Sequence, residues 1–242
     1  MLFLHAGSLQ RVQDNHHPNI ARMLQPRDFS RLTDTLAAGY LVGIDNDGYR
    51  GVNYERFTTM LASIRSELWG VPRPTRRRSR RVARRWPPVG TPNPFGRTPS
   101  PVGEVPENLL WLVVPDIVAD AAETLRWFQW LSPSLSDLPL AFAVQDGAGD
   151  VGIPWEAPNL RCLFLAGSTE YKLSKEMAEI AEEGKQRGLW IHGGRCNSFR
   201  RARHFASIGC DSFDGTGASK WPSKVQEYLG WASAPPHAGL LA

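Results

Sequence analysis

The chain has 242 residues, an apolar content of 42% and a formal net charge of +4 at pH 7. This suffices for one large domain, residues 1–242, with a sizeable core, and (β/α)8 barrels commonly have this length. Three cysteines (Cys162, Cys196, Cys210) without C-x-x-C spacing argue against a disulfide framework and for a reducing compartment. The apolar start Met1–Leu4 ends at His5, too early for a signal peptide or membrane span, so a soluble cytoplasmic protein is expected.

Met1–Ser8 reads as a first strand with a glycine near its end. Gln10–Leu24 is polar, and Asn15-His16-His17-Pro18 reads as a loop. Paired histidines suggest metal, but no partners stand at ligand spacing, so no metal site is expected. Pro26–Ala38 looks helical. Tyr40–Tyr49 repeats the opening pattern, an apolar run ending in Asp45-Asn46-Asp47-Gly48. Tyr54–Leu68 is an amphipathic helix with Phe57, Met60, Leu61, Ile64 and Leu68 on one face.

Residues 71–104 break this rhythm. The stretch 73–85 holds eight arginines, and a ninth, Arg97, lies within the acid-free span 68–103. Without those nine the rest of the chain is mildly acidic. So many like charges amid prolines do not pack, so an exposed arm or insertion is expected. It reads as a solvated linker or as a phosphate-binding arm. The absence of any acid favours nucleic-acid contact through Arg76, Arg77, Arg78, Arg80, Arg81, Arg84 and Arg85, with Trp86 or Phe95 to stack on bases.

The rhythm resumes at Leu109–Asp116, a strand ending in aspartate, followed by a helix over Asp120–Leu131. Leu138–Gly147 is a strand ending in Gln145-Asp146-Gly147, and Arg161–Ser168 is the next. Ser174–Arg187 is a helix with Ser174 and Gly188 as caps. Leu189–Arg195 is a strand, Ser198–Ser207 a short basic helix, and Cys210–Gly217 a strand that delivers Asp214 ahead of two glycines. An apolar lead-in, Phe205–Gly209, precedes it, and the glycines are expected to admit a ligand closely. Seven strands alternating with helices predict an α/β fold with a parallel sheet, a TIM-type (β/α)8-like barrel. No eighth strand is legible, so the barrel is incomplete or closed by the weak tail Tyr228–Ala242.

The polar strand ends would share the active-site face. Two carboxylates on different strands, Asp214 and Asp45, suit displacement at an anomeric carbon: one attacks C1′ and the other manages protons. A further carboxylate, Asp116, and an amide, Gln145, suit the edge of a purine. Asp45 and Asp47 compete for the second acid.

These residues and their order resemble the queuine/archaeosine tRNA-guanine transglycosylase superfamily. The resemblance lies in Val-Pro-Asp at Asp116, Ala-Val-Gln-Asp-Gly at Gln145, Ala-Gly-Ser at Gly167 and Ser168, Gly-Gly-Arg at Arg195 and Asp-Ser-Phe-Asp-Gly at Asp214. It runs from about Tyr40 to Gly217 and is closer to the DNA-acting DpdA-type branch. It implies that Asp214 is the nucleophile, Asp45 the proton-handling acid, and Asp116 and Gln145 the base readers. Gly167, with Ser168 beside it, implies a backbone contact to the base, and Arg195 either holds a phosphate or forms a salt bridge. The implied reaction is exchange of guanine in DNA for a free 7-deazaguanine, the 7-cyano form being expected, through a covalent Asp214–sugar ester. No cofactor is implied. The family's zinc-site cysteines and the Leu-Pro-Thr-Arg after its nucleophile are absent. This favours DNA over tRNA, and leaves a non-catalytic nucleic-acid-binding barrel as the alternative of another class.

Overall fold

The computed structural model describes residues 1–26, 31–48, 51, 53–72 and 104–234. The chain runs β1 (Leu2–His5), α1 (Leu9–Asp14), β2 (Ile20–Leu24), α2 (Leu32–Ala37), β3 (Val42–Ile44), α3 (Tyr54–Trp69) and β4 (Leu109–Val113). It continues with α4 (Ala121–Leu131), β5 (Leu140–Val144), α5 (Ala148–Val151), β6 (Leu160–Leu165), α6 (Thr169–Lys172) and α7 (Lys175–Gln186). The last elements are β7 (Trp190–Gly193), α8 (Phe199–Ser207), β8 (Ser212–Asp214), α9 (Thr216–Lys220) and α10 (Val225–Ser233). The eight strands pair in parallel in sequence order, and β1 closes on β8 with Leu2 opposite Ser212 and Leu4 opposite Asp214. This is a closed (β/α)8 barrel.

The eighth strand is β2, inside the stretch that reads as polar. Arg22 interrupts its apolar run, yet every residue of the strand is buried. The guanidinium donates through Nη1 to Thr35 on α2, so the residue that breaks the sequence pattern is anchored between sheet and helix. The barrel is therefore complete without the tail. Val225–Ser233 is instead a helix, and its Tyr228 is buried against Phe3 and Phe213. The lead-in Phe205–Gly209 is not strand either. Phe205–Ser207 ends α8, Gly209 turns with φ +80°, and β8 is only three residues long. The helix expected over Pro26–Ala38 is present as Leu32–Ala37, part of the rest lying outside the described residues.

Strand alternation sorts side chains into two layers. Outward residues such as Phe3, Ile44, Leu112, Phe142, Leu163 and Ile191 pack under the helices. Inward ones, Leu4, Ala21, Met23, Trp111, Val113, Ala141, Ala143 and Cys162, fill the barrel. Trp111 is the largest of these side chains and needs small neighbours. A Cβ at Gly43 would lie 2.5 Å from the indole ring and 2.9 Å from Leu4. Gly43→Ala is expected to destabilise the fold by about 1–3 kcal/mol in chemical denaturation. Combining it with Trp111→Phe should cost less than the sum of the two single changes.

Candidate active site

The same alternation carries functional groups to the C-terminal mouth. Gly43 faces inward, so Asp45 does too. Ala143 places Gln145, and Ser212 places Asp214, by the same two-residue step. With Asp116, Gly167 and Arg195 from the loops after β4, β6 and β7, these residues line one cavity with about 590 Å³ of empty volume, counting its open mouth. Val113, Ala143 and Phe164 contribute apolar wall, and Val118 stands exposed at its rim.

Asp214 is held asymmetrically. Its Oδ1 accepts from the Arg195 backbone N–H at 2.8 Å and lies 3.3 Å from Nε2 of buried His192. Arg195 adopts φ +54°, a left-handed turn that aims its N–H at the carboxylate. Among the described residues no hydrogen bond reaches Oδ2. The two glycines that follow do not face the cavity. A Cβ at Gly215 or Gly217 would strike Tyr228, so their role is packing against that ring.

Asp45 lies across the same cavity, where its Oδ2 accepts from Gln25 Nε2 at 3.2 Å. Burial, and then the negative charge of Asp214, push its carboxyl up to about 7. Asp47, the competing acid, is exposed in a turn at φ +57° and is not among the cavity-lining residues.

Asp116 and Gln145 form one network. Gln145 Nε2 donates to Asp116 Oδ2 at 2.6 Å, and Asn46 Nδ2 donates to Asp116 Oδ1 at 2.8 Å and to the Val114 carbonyl. The Ala119 N–H donates to Gln145 Oε1 at 2.9 Å, which fixes which end of the amide faces Asp116. Burial raises the Asp116 carboxyl, and the two amide bonds oppose that shift.

Gly167 lines the cavity with φ +82°, and a Cβ there would lie 2.3 Å from Asp146. Ser168 plays a different part from the one the sequence suggests. Its hydroxyl donates to Asp146 at 2.6 Å and caps α6 by accepting from the Tyr171 N–H, so it tethers the loop and is not among the cavity-lining residues. The guanidinium-bearing residue Arg195 is in the cavity wall. The arm residues Arg76, Arg77, Arg78, Arg80, Arg81, Arg84 and Arg85 lie outside the described residues.

Three residues here escape sequence reading. Lys172, on the single turn α6, is buried in the cavity wall with Nζ 3.3 Å from the Gly194 carbonyl. Burial lowers its ammonium to about 8, against the pull of Asp214. Asn46 positions Asp116, and His192 backs Asp214. Nothing in their spacing marks them, although each directly follows or lies near a strand end.

The cysteines are buried. Cys162 lies inside the barrel, and burial pushes Cys196 up to about 12 and Cys210 well up, so these thiols stay protonated. Among the described residues no cluster of His, Cys, Asp and Glu has metal-binding geometry, and no helix is long and apolar enough to cross a membrane. His17 Nδ1 accepts from the Asn19 N–H in the turn before β2.

A scan against protein-family models finds no match to the chain, and a search of curated proteins finds none either.

Asp45 links the site to stability. Its carboxyl titrates near 7 in the fold and near 3.8 unfolded. The fold keeps a proton that the unfolded chain releases, so this group's stabilisation is full below about 4 and is lost as pH rises through about 7. Asp45→Asn should therefore raise stability at pH 8, on the order of 2–4 kcal/mol, and change it little at pH 4. Thermal unfolding at the two pH values checks this.

Proposed function

We propose that the protein is a DNA guanine transglycosylase that exchanges guanine for a 7-deazaguanine through an Asp214–sugar ester. The observation that carries this reading is the meeting of Asp45, Asp116, Gln145, Gly167, Arg195 and Asp214, from six successive strand ends, in one cavity.

Asp214 Oδ2 attacks C1′. The C1′–N9 bond breaks, its electron pair leaves on the purine, and Asp45 in its acid form supplies a proton to the departing guanine. The 7-deazaguanine enters the same cavity. Asp45, now a carboxylate, takes the N9 proton; N9 attacks C1′; the ester C–O bond breaks and Asp214 is regenerated. A carboxyl that titrates near 7 can do both jobs at neutral pH. Asp116 accepts from the N–H groups of the base edge, and Gln145 and the Gly167 backbone complete that edge. Lys172 and Arg195 put positive charge on the Asp214 side, where the sugar–phosphate chain would lie. The target nucleotide leaves its stack to reach this depth, or arrives single-stranded. The arginine arm would grip phosphates without reading sequence.

Labelled guanine offered with DNA or tRNA tests the reading. Incorporation into DNA by the wild type and its loss in Asp214→Asn are expected. Incorporation only into tRNA would move the substrate, and incorporation persisting in Asp214→Asn would remove the nucleophile. Binding without exchange would leave a non-catalytic barrel.

The half-reactions should show opposite pH dependence. Single-turnover guanine release should fall as pH rises through about 7. Uptake of the new base, by the ester form in which the Asp214 charge is gone, should fall as pH drops, with its midpoint lower than that of release. In Asp45→Asn both dependences should vanish, with both rates lower by about 100-fold.

A further inference from the structure

Behind Asp214 lies a line of buried polar groups that the exchange mechanism above does not use. Trp190, His192, Ser212 and Asp214 belong to the neighbouring strands β7 and β8, and all point into the barrel by the alternation that places Asp214. Trp190 Nε1 donates to Ser212 Oγ at 2.8 Å. Ser212 Oγ lies 2.8 Å from His192 Nδ1, and His192 Nε2 lies 3.3 Å from Asp214 Oδ1. Trp111 and Phe164 pack against the imidazole, with ring centroids at 4.9 and 4.7 Å, which leaves it little freedom to turn.

The direction of this chain follows from its first member. An indole N–H can only donate. It occupies one lone pair of Ser212, whose own proton then needs an acceptor, and His192 Nδ1 is in place to accept it. An imidazole that accepts at Nδ1 carries its proton on Nε2, and that proton faces the carboxylate. In the opposite tautomer, two lone pairs would confront each other at Nε2 and Oδ1. Only one direction gives each donor an acceptor.

We propose that Trp190 and Ser212 lock His192 in its Nε2–H tautomer, so that His192 acts as a positioning residue for the Asp214 carboxylate. Together with the Arg195 N–H it gives Oδ1 two donors and leaves Oδ2 to face the cavity as the attacking oxygen. The positioning role rests on the exchange reaction proposed above; the tautomer does not.

Two measurements test the inference. In protein labelled with ¹⁵N-histidine at about pH 8, the His192 signals, assigned by their loss in His192→Gln, should show a protonated Nε2 and a bare Nδ1. Ser212→Ala should mix the tautomers. An Nδ1–H or doubly protonated ring in the wild type overturns the lock. In the exchange assay, His192→Phe keeps a ring but loses the donor. Its kcat should fall by about 10–100-fold with KM for the free base unchanged. His192→Gln, whose amide N–H extends toward the same oxygen, should recover most of that loss. Ile191→Val on the outer face of the same strand lowers stability without touching the chain, and should keep kcat. An unchanged kcat in His192→Phe, or an equal loss in Ile191→Val, overturns the positioning role. If the wild type exchanges no base into DNA or tRNA, the reaction itself falls, and the tautomer alone decides the lock.

Discussion

Two carboxylates share one cavity, and the rest of the site answers that confrontation. Ionising both Asp45 and Asp214 in a partly dry space is unfavourable, and the protein treats them differently. Asp214 receives a backbone N–H and the edge of an imidazole. Asp45 receives one amide and is pushed up to about 7 by burial and by its opposite number. In the proposed exchange this coupling also has a direction. When Asp214 becomes an ester its charge disappears, and the repulsion that kept a proton on Asp45 disappears with it. Departure of the first base thus prepares Asp45 to receive a proton from the second.

Much of this arrangement is legible in the sequence, for a physical reason. Inward-facing strand positions recur every second residue, and apolar runs ending in Asp, Gln or Gly mark where a buried strand meets a polar mouth. Seven strands announce themselves this way. β2 does not, because Arg22 breaks its run and its partner, Thr35, lies on a helix that only the folded chain brings near. Asp45 and Asp47 share the parity of Gly43, and what separates them is the end of β3 at Ile44 and the left-handed φ that turns Asp47 out to solvent. The Ser168 cap has a local signature, hydroxyl followed by a polar turn, which the functional reading of that loop overlooked. Lys172 and His192 are hidden for another reason. Their depth is a property of packing between elements, and a lysine on one helical turn or a histidine in an apolar strand reads as surface or core.

The interior shows how little of the barrel is free for chemistry. Trp111 fills the middle and is tolerated because Gly43 and a set of alanines make room. Phe164 and His192 pack on it, and Phe164 also lines the cavity. Burial at this end of the barrel, together with the charge of Asp214, raises the Asp45 carboxyl.

The seam between β1 and β8 has a consequence for the order in which the site comes into being. Asp214 is paired with Leu4 across some two hundred residues of intervening chain. Such a contact is among the most distant in sequence that the molecule makes, and distant contacts form late. During synthesis the first strand waits, with one edge uncovered, until β8 has left the ribosome. The cavity gains Asp214 only at closure, so in the proposed exchange a partly made chain would be inert, however much of its sheet has already formed.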